Sequence, residues 1–273
     1  MIDRRIIHLS DLHFGRARPE LLRPLIDEVN TLDPDLVAIS GDLTQRARSA
    51  QFREARDFIE ALKAPVLVVP GNHDIPLHDP VGRILRPWRN YHRIIDTDLE
   101  PEYSDDGMVV LGVNTVNRFA HQSGSFSRAA LARAEQAFKE AGARTRVIVA
   151  HHPLEQRPSD TKRPTRGANR AVDRLAELGT DIILTGHLHS WRAELFASRS
   201  GRRGVLQLHA GTGLSTRLRG EENDFNLIDA APQAITVTRY AAGAGDAGFA
   251  PVTRRHFASD DAGGWAALPA PLR

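Results

Sequence analysis

Two hydrophobic rhythms alternate along the chain. Short runs dominated by Val, Ile and Leu read as buried strands, and the longer stretches between them carry apolar residues every three or four positions, the period of a helix with one buried face. The runs predict strands over 5–10, 36–40, 66–69, 108–113, 146–150 and 181–185. Helices are predicted between them. Over 19–32, Leu21, Leu22, Leu25, Ile26, Val29 and Leu32 share a face; over 49–62, Phe52, Ala55, Phe58, Ile59 and Leu62 do; further helices are expected over 127–141 and 169–178. Beyond Trp191 the helical period disappears, and 193–197, 205–209, 224–228 and 234–239 read as strands joined by short turns. Strand–helix alternation that gives way to consecutive strands predicts an α/β fold class, a layered core ending in an antiparallel portion. Residues 1–240 are thereby assigned to one domain, and 241–273, rich in Gly, Ala and Pro, to a loosely packed C-terminal extension.

Two connections reach or exceed the roughly 15 residues at which a loop is usually functional or disordered. Residues 75–107 are expected to contain a short helix through 81–91, and residues 154–168 carry Arg157, Lys162, Arg163 and Arg166. A solvated loop is the ordinary reading of such a basic run. The hydrophobic share of 41% and the charged share of 26% are those of a globular chain. No apolar run approaches the roughly 20 residues of a membrane-spanning helix. Arg4 and Arg5 lead straight into Ile6 and Ile7, without room for a secretory apolar segment, so a cytoplasmic location is expected. With 36 basic and 34 acidic residues the net charge is only +2, which lacks the basic excess of a nucleic-acid binder. Cysteine is absent, so any metal must sit on oxygen and imidazole donors.

Such donors stand where the predicted strands end. The segments that follow them read Asp11-Leu12-His13, Gly41-Asp42, Gly71-Asn72-His73-Asp74, His151-His152-Pro153 and Gly186-His187-Leu188-His189. Ligands of open α/β sheets bind beyond the carboxyl ends of the strands, so these five segments should meet in space. Gly41, Gly71 and Gly186 fit tight turns in which the backbone approaches a neighbour closely. His8, His78, His92, His121, His209 and His256 belong to no such segment, and an ordinary satisfied histidine is the expectation for them. His209 with Gly211-Thr212-Gly213 is a candidate border of the pocket.

Taken in order, the segments D-x-H, G-D, G-N-H-D, H and G-H-x-H resemble the calcineurin-like metallophosphoesterases, over about residues 5–215. The resemblance implies a four-layer αββα sandwich, two facing mixed sheets flanked by helices, with two metal ions at the strand ends. It implies Asp11, His13 and His189 as ligands of one ion, Asn72, His151 and His187 as ligands of the other, and Asp42 between them. His151 is preferred to His152 because the family's metal histidine stands two positions before the proline. The ions that the resemblance implies are two divalent or mixed-valence ions of Mn, Fe or Zn; a divalent pair would bring about +4, of which the two carboxylates and a bridging hydroxide remove three, leaving a positive site for a phosphate. His73 is then the residue to stabilise the phosphate or protonate the leaving oxygen, with Asp74 as its orienting partner.

The protein serine/threonine phosphatases of this superfamily continue the second segment as G-D-x-V-D-R-G and use G-N-H-E, whereas here Leu43-Thr44 follows Asp42 and Asp74 closes the third. The chain instead resembles the bacterial class III cyclic-nucleotide and glycerophosphodiester phosphodiesterases. A small-molecule phosphodiester is thus the expected partner, and a homodimer is compatible with the sequence. A nuclease or phosphomonoesterase on the same core is the enzymatic alternative, with Trp88 and Tyr91 as the aromatic residues a nucleic acid would stack on. A non-catalytic interaction module is the alternative from another class.

Overall fold

In the computed structural model, residues 3–195, 204–218, 220–243, 248–259 and 264–269 are described. The first half builds β1 (Arg4–Leu9), α1 (Pro19–Leu32), β2 (Leu36–Ile39), α2 (Ser49–Glu60) and β3 (Val66–Val68), followed by α3 (Pro80–Leu85), α4 (Arg89–Ile94) and β4 (Glu102–Ser104). Next come β5 (Met108–Val113), α5 (Arg128–Lys139), β6 (Thr145–Ala150), α6 (Ala168–Glu177) and β7 (Ile182–Thr185). The chain ends in β8 (Arg192–Leu195), β9 (Leu206–His209), β10 (Asp224–Ala231), β11 (Ala234–Ala242), β12 (Phe249–Ser259) and β13 (Trp265–Ala267). The strand expected over 193–197 is β8; its last two expected positions lie outside the described residues.

The strands form two sheets, ordered β13-β12-β11-β10-β1-β2-β3 and β4-β5-β6-β7-β9-β8. In the first, β1, β2 and β3 are parallel and β10 to β13 antiparallel; in the second, β5, β6, β7 and β9 are parallel and both edge strands antiparallel. Side-chain alternation divides the strand residues between layers. Ile6 packs between the sheets with Leu36, Val147, Val149, Ile182 and Leu208, while Ile7 points the other way, to Leu21, Leu25, Phe52 and Phe58 of α1 and α2. On the far side, Ile148 and Ile183 meet Leu131, Ala134 and Phe138 of α5 and Leu175 of α6. Three apolar layers separate helix, sheet, sheet and helix, so the architecture is the αββα sandwich. The runs of β2, β5 and β7 read as continuously apolar because both faces of each strand are buried.

The segment after residue 240 corrects the sequence reading. It is not a loose extension: β11 continues through the proposed boundary to Ala242, β12 pairs along it for nine registered positions, and Phe257 and Trp265 enter the core between the sheets. Pro251 masked this strand. It sits at a register shift opposite Arg239 and Tyr240, and an irregularity of this kind tolerates a residue with no N–H to give to the ladder. The connection 75–107 also differs: the expected helix through 81–91 is two short ones, broken at Arg86–Trp88, where Pro87 prevents one from running into the other. No helix among the described residues is long and apolar enough to cross a membrane.

Trp265 is 7% exposed, and its indole N–H donates to Asp181 Oδ1 at 3.1 Å, which pins the end of the chain to the start of β7. Trp265→Ala is expected to lower unfolding stability by about 3 kcal/mol, the low end for a buried Trp→Ala change. A urea midpoint indistinguishable from wild type would mean that this segment contributes nothing to the fold.

Candidate metal centre

Asp11, His13, Asp42, Asn72, His151, His187 and His189 are brought together at the carboxyl ends of β1, β2, β3, β6 and β7, where the two sheets face each other, and all seven are buried. Backbone bonds lock the converging turns: Asp11 N–H donates to Gly41 O, His13 N–H to Asp42 O and Gly186 N–H to His151 O. Of the non-glycine residues with positive φ among those described, five are candidate donors: Asp11, His13, Asp42, His187 and His189. Left-handed backbone at a non-glycine residue costs on the order of 1 kcal/mol, and it turns these side chains off the strand axes into one cleft. Gly41 has φ +92, and a Cβ there would come within 2.8 Å of both Gly71 N and His151 Nδ1. A Cβ at Gly186 would collide with Ser10 Oγ and Asp11 Oδ2.

The donor atoms fall into two quartets that share one oxygen. In one, Asp11 Oδ1 lies 3.1 Å from His189 Nε2 and 3.5 Å from His13 Nε2, the two imidazole nitrogens are 3.4 Å apart, and His13 Nε2 is 3.8 Å from Asp42 Oδ2. In the other, His151 Nε2 is 3.2 Å from His187 Nδ1, 3.3 Å from Asn72 Oδ1 and 3.4 Å from the same Asp42 Oδ2. Each carboxylate gives one oxygen to the protein and turns the other to the cleft. Asp11 Oδ2 accepts from Ser10 Oγ and His187 N–H, and Asp42 Oδ1 accepts from His73 N–H, whereas Asp11 Oδ1 is buried without a hydrogen-bond partner. Imidazole nitrogens and carboxylate oxygens this close, with an orphaned oxygen among them, fit divalent cations with mixed nitrogen and oxygen coordination. His151 Nδ1 donates to Ser40 O at 2.8 Å, which turns Nε2 towards the other donors. His189 Nδ1 does the same with Arg217 O at 3.2 Å.

His152 joins His151 and His187 in a cluster whose donor atoms lie within 4.8 Å of one another; its Nδ1 is taken by Thr115 Oγ1 at 2.8 Å, and its Nε2 is buried without a hydrogen-bond partner. The pairing of His73 and Asp74 requires correction. Asp74 is buried and receives Gly71 N–H, Leu43 N–H, Thr44 N–H and the Thr44 hydroxyl; it braces the two turns and leaves the His73 ring alone. Burial and the charge of Asp42 push Asp74 up to about 7. His73 is oriented instead by Gln45 O, which accepts its Nδ1–H at 2.9 Å. Burial lowers His73 to about 4, with the attraction of Asp42 only partly offsetting it, so at neutral pH the ring is uncharged.

Two arginines escaped the sequence reading. Arg217 Nη1 lies 3.2 Å from His73 Nε2, and Arg46 Nη1 lies 3.5 Å from His73 Nδ1 and 3.0 Å from Gln45 O. Arg46 was within reach, four residues after Asp42, but Arg217 comes from a connection with no motif. In 154–168, Arg157 pairs with Glu194, and the backbone of Arg166 is hydrogen-bonded to Phe126 and Gly124. Lys162 Nζ donates to His187 O, beside the second quartet. His209, a candidate border residue, is buried and held by Thr185 and Gln207. Tyr91, a suggested stacking platform, is fully buried against Phe52 and Trp88 with its hydroxyl on Val68 O, so no base can reach it.

Residues 4–191 match the Calcineurin-like phosphoesterase family, and the chain belongs to that family. Its fold is similar to a purple acid phosphatase, PPD1 of yellow lupin, with TM-score 0.73 at 11% identity over 96% of this chain and 55% of that one. In sequence it is 32% identical to the glycerophosphodiester phosphodiesterase GpdQ of Enterobacter lignolyticus over 25% of this chain and 29% of that protein. It is 22% identical to a probable cyclic nucleotide phosphodiesterase of Ruthia magnifica over 56% of this chain and 63% of that one. In both cases the match spans less than two thirds of the relative's length.

Burial disfavours a charged ring at His151, yet the charge and hydrogen bond of Asp42, with Asp11 behind it, override burial and raise it to about 9. The metal-free chain therefore holds a proton there at neutral pH, which a cation must displace. Affinity for Mn²⁺, read by chelator competition, is expected to rise between pH 6 and 8 by up to about tenfold per unit, with proton release on binding. An affinity independent of pH over that window would exclude His151 as a ligand.

Proposed function

We propose that this chain hydrolyses phosphodiesters of the cyclic-nucleotide or glycerophosphodiester type, using two divalent ions of Mn, Fe or Zn. The observation that carries this reading is the pair of donor quartets sharing Asp42 Oδ2. Asp11, His13, His189 and Asp42 would hold one ion, and Asn72, His151, His187 and Asp42 the other. Only two of the seven residues are acids, so the loaded site keeps positive charge for an anionic substrate. When bound, the ions supply Lewis acidity to the phosphoryl group and acidify the attacking water. The named activities of the matching phosphodiesterases favour a diester over other phosphate esters.

The chain's own residues orient and protonate. Water adds to phosphorus as the bond to the leaving alcohol breaks, giving an alcohol and a phosphomonoester. The leaving oxygen needs a proton, and Nε2 of His73 is the candidate to deliver it, since Nδ1 is committed to Gln45 O. A ring that is neutral at rest must first take up a proton, and a phosphate anion beside Nε2 favours that uptake.

A panel of cyclic nucleotides, glycerophosphodiesters, a phosphomonoester and single-stranded DNA, run with Mn, Fe and Zn, tests the reading. Turnover is expected to be highest on a cyclic nucleotide or glycerophosphodiester. A metal-loaded protein that prefers the monoester or DNA, or turns over none of them, would replace it. His73→Ala should reduce kcat by about 100-fold while elemental analysis still finds two metals per chain. Loss of the metals would make His73 a ligand rather than a proton donor.

A further inference from the structure

We propose that Arg217 is a substrate-binding residue whose guanidinium holds a non-bridging phosphate oxygen beside His73. This rests on the reading of the chain as a phosphoester hydrolase. Arg217 lies in the connection between β9 and β10, which carries none of the five strand-end segments. Its backbone fixes it to the centre: Arg217 O accepts from His189 Nδ1 at 3.2 Å, and its N–H donates to Ser215 Oγ at 3.1 Å. The side chain then crosses to the opposite wall, where Nη1 meets His73 Nε2 at 3.2 Å. That nitrogen is the free edge of the His73 ring, because Nδ1 is held by Gln45 O. The ring itself packs edge-on to His13, with centroids 4.9 Å apart, so Arg217 stands on the Asp11–His13–His189 side of the cleft.

Arg217 differs from other half-buried arginines near it. Arg239 is neutralised by Glu221 and Asp224, and Arg192 by Asp160, whereas no carboxylate pairs with Arg217 among the described residues. Its side chain meets an imidazole nitrogen that offers one lone pair. A guanidinium carries five donors in a planar fork suited to phosphate oxygens, so most of its hydrogen-bonding capacity remains for an anion. Arg46, on the other side of the same ring, is less available, since its Nη1 already donates to Gln45 O. A phosphodiester has two non-bridging oxygens sharing one charge. A fork reaching in next to His73 Nε2 would hold one of them and bring the leaving oxygen towards that nitrogen.

The test uses the Mn-loaded full chain and two variants, Arg217→Ala and Arg217→Lys. Titration calorimetry with inorganic phosphate should give a Kd raised about tenfold in Arg217→Ala, and KM for a chromogenic diester should rise by a similar factor, as expected when a charged hydrogen bond is lost. Arg217→Lys should recover part of both. Metal content should stay at two per chain, because the carbonyl that orients His189 survives the substitution. An unchanged phosphate Kd would overturn the proposal, and so would loss of metal, which would make Arg217 a support for His189. Phosphate binding is read without turnover. A wild type that binds phosphate but hydrolyses no diester would therefore sink the functional reading alone and leave the role of Arg217 to be decided by the Kd.

Discussion

Asp11 and Asp42 are carboxylates with 0% and 1% of their surface exposed, held at the meeting point of two sheets. An unpaired buried carboxylate costs several kcal/mol, so their charge must be answered from within. The surrounding structure is organised around that requirement. His187 N–H reaches across from the end of β7 to Asp11, and His73 N–H reaches Asp42 from the turn after β3. The remaining oxygens look at imidazole nitrogens, among them that of His151, which the charge of Asp42 holds protonated in the free chain. The same two buried carboxylates belong to groups of side chains that could hold a metal ion. Asp74, a third buried carboxylate beside Asp42, is answered differently, by four donors from two turns, and serves as the brace between them.

This arrangement explains why strained backbone gathers here. Asp11, His13, Asp42, His187 and His189 adopt left-handed φ values that a strand or helix would never require. A strand that simply continued would send successive side chains to opposite faces, into the apolar layers. A left-handed residue at its end breaks that alternation and aims the side chain along the cleft. The three apolar layers, and the interlocking of Gly41 with Gly71 and His151, hold the turns in place.

Beyond the quartets, cationic side chains stand on the surrounding loops. Lys162 and Arg163 line a cavity of about 630 Å³ with Phe119, His121 and Gln122, and Lys162 also reaches the backbone of His187. Arg217 stands on the other side, at His73. Cations thus reach the two quartets from different loops, a distribution suited to an anion lying across both.

The sequence by itself determined the elements and the chemical inventory. Val and Ile runs set the strands because both of their faces are buried, and each strand-end segment carries its donors within five residues of the last apolar position of its strand, a local relation that sequence spacing preserves. The orienting partner of His73, the place of Arg217 and the strands after residue 240 were decided only by tertiary structure. Gln45 reaches His73 across a turn, Arg217 crosses the cleft from a connection 144 residues away in the chain, and β12 forms because β11 offers it an edge despite Pro251. None of these leaves a periodic trace, since a hydrogen bond between distant segments depends on where the sheets bring them and not on the residues that flank each one.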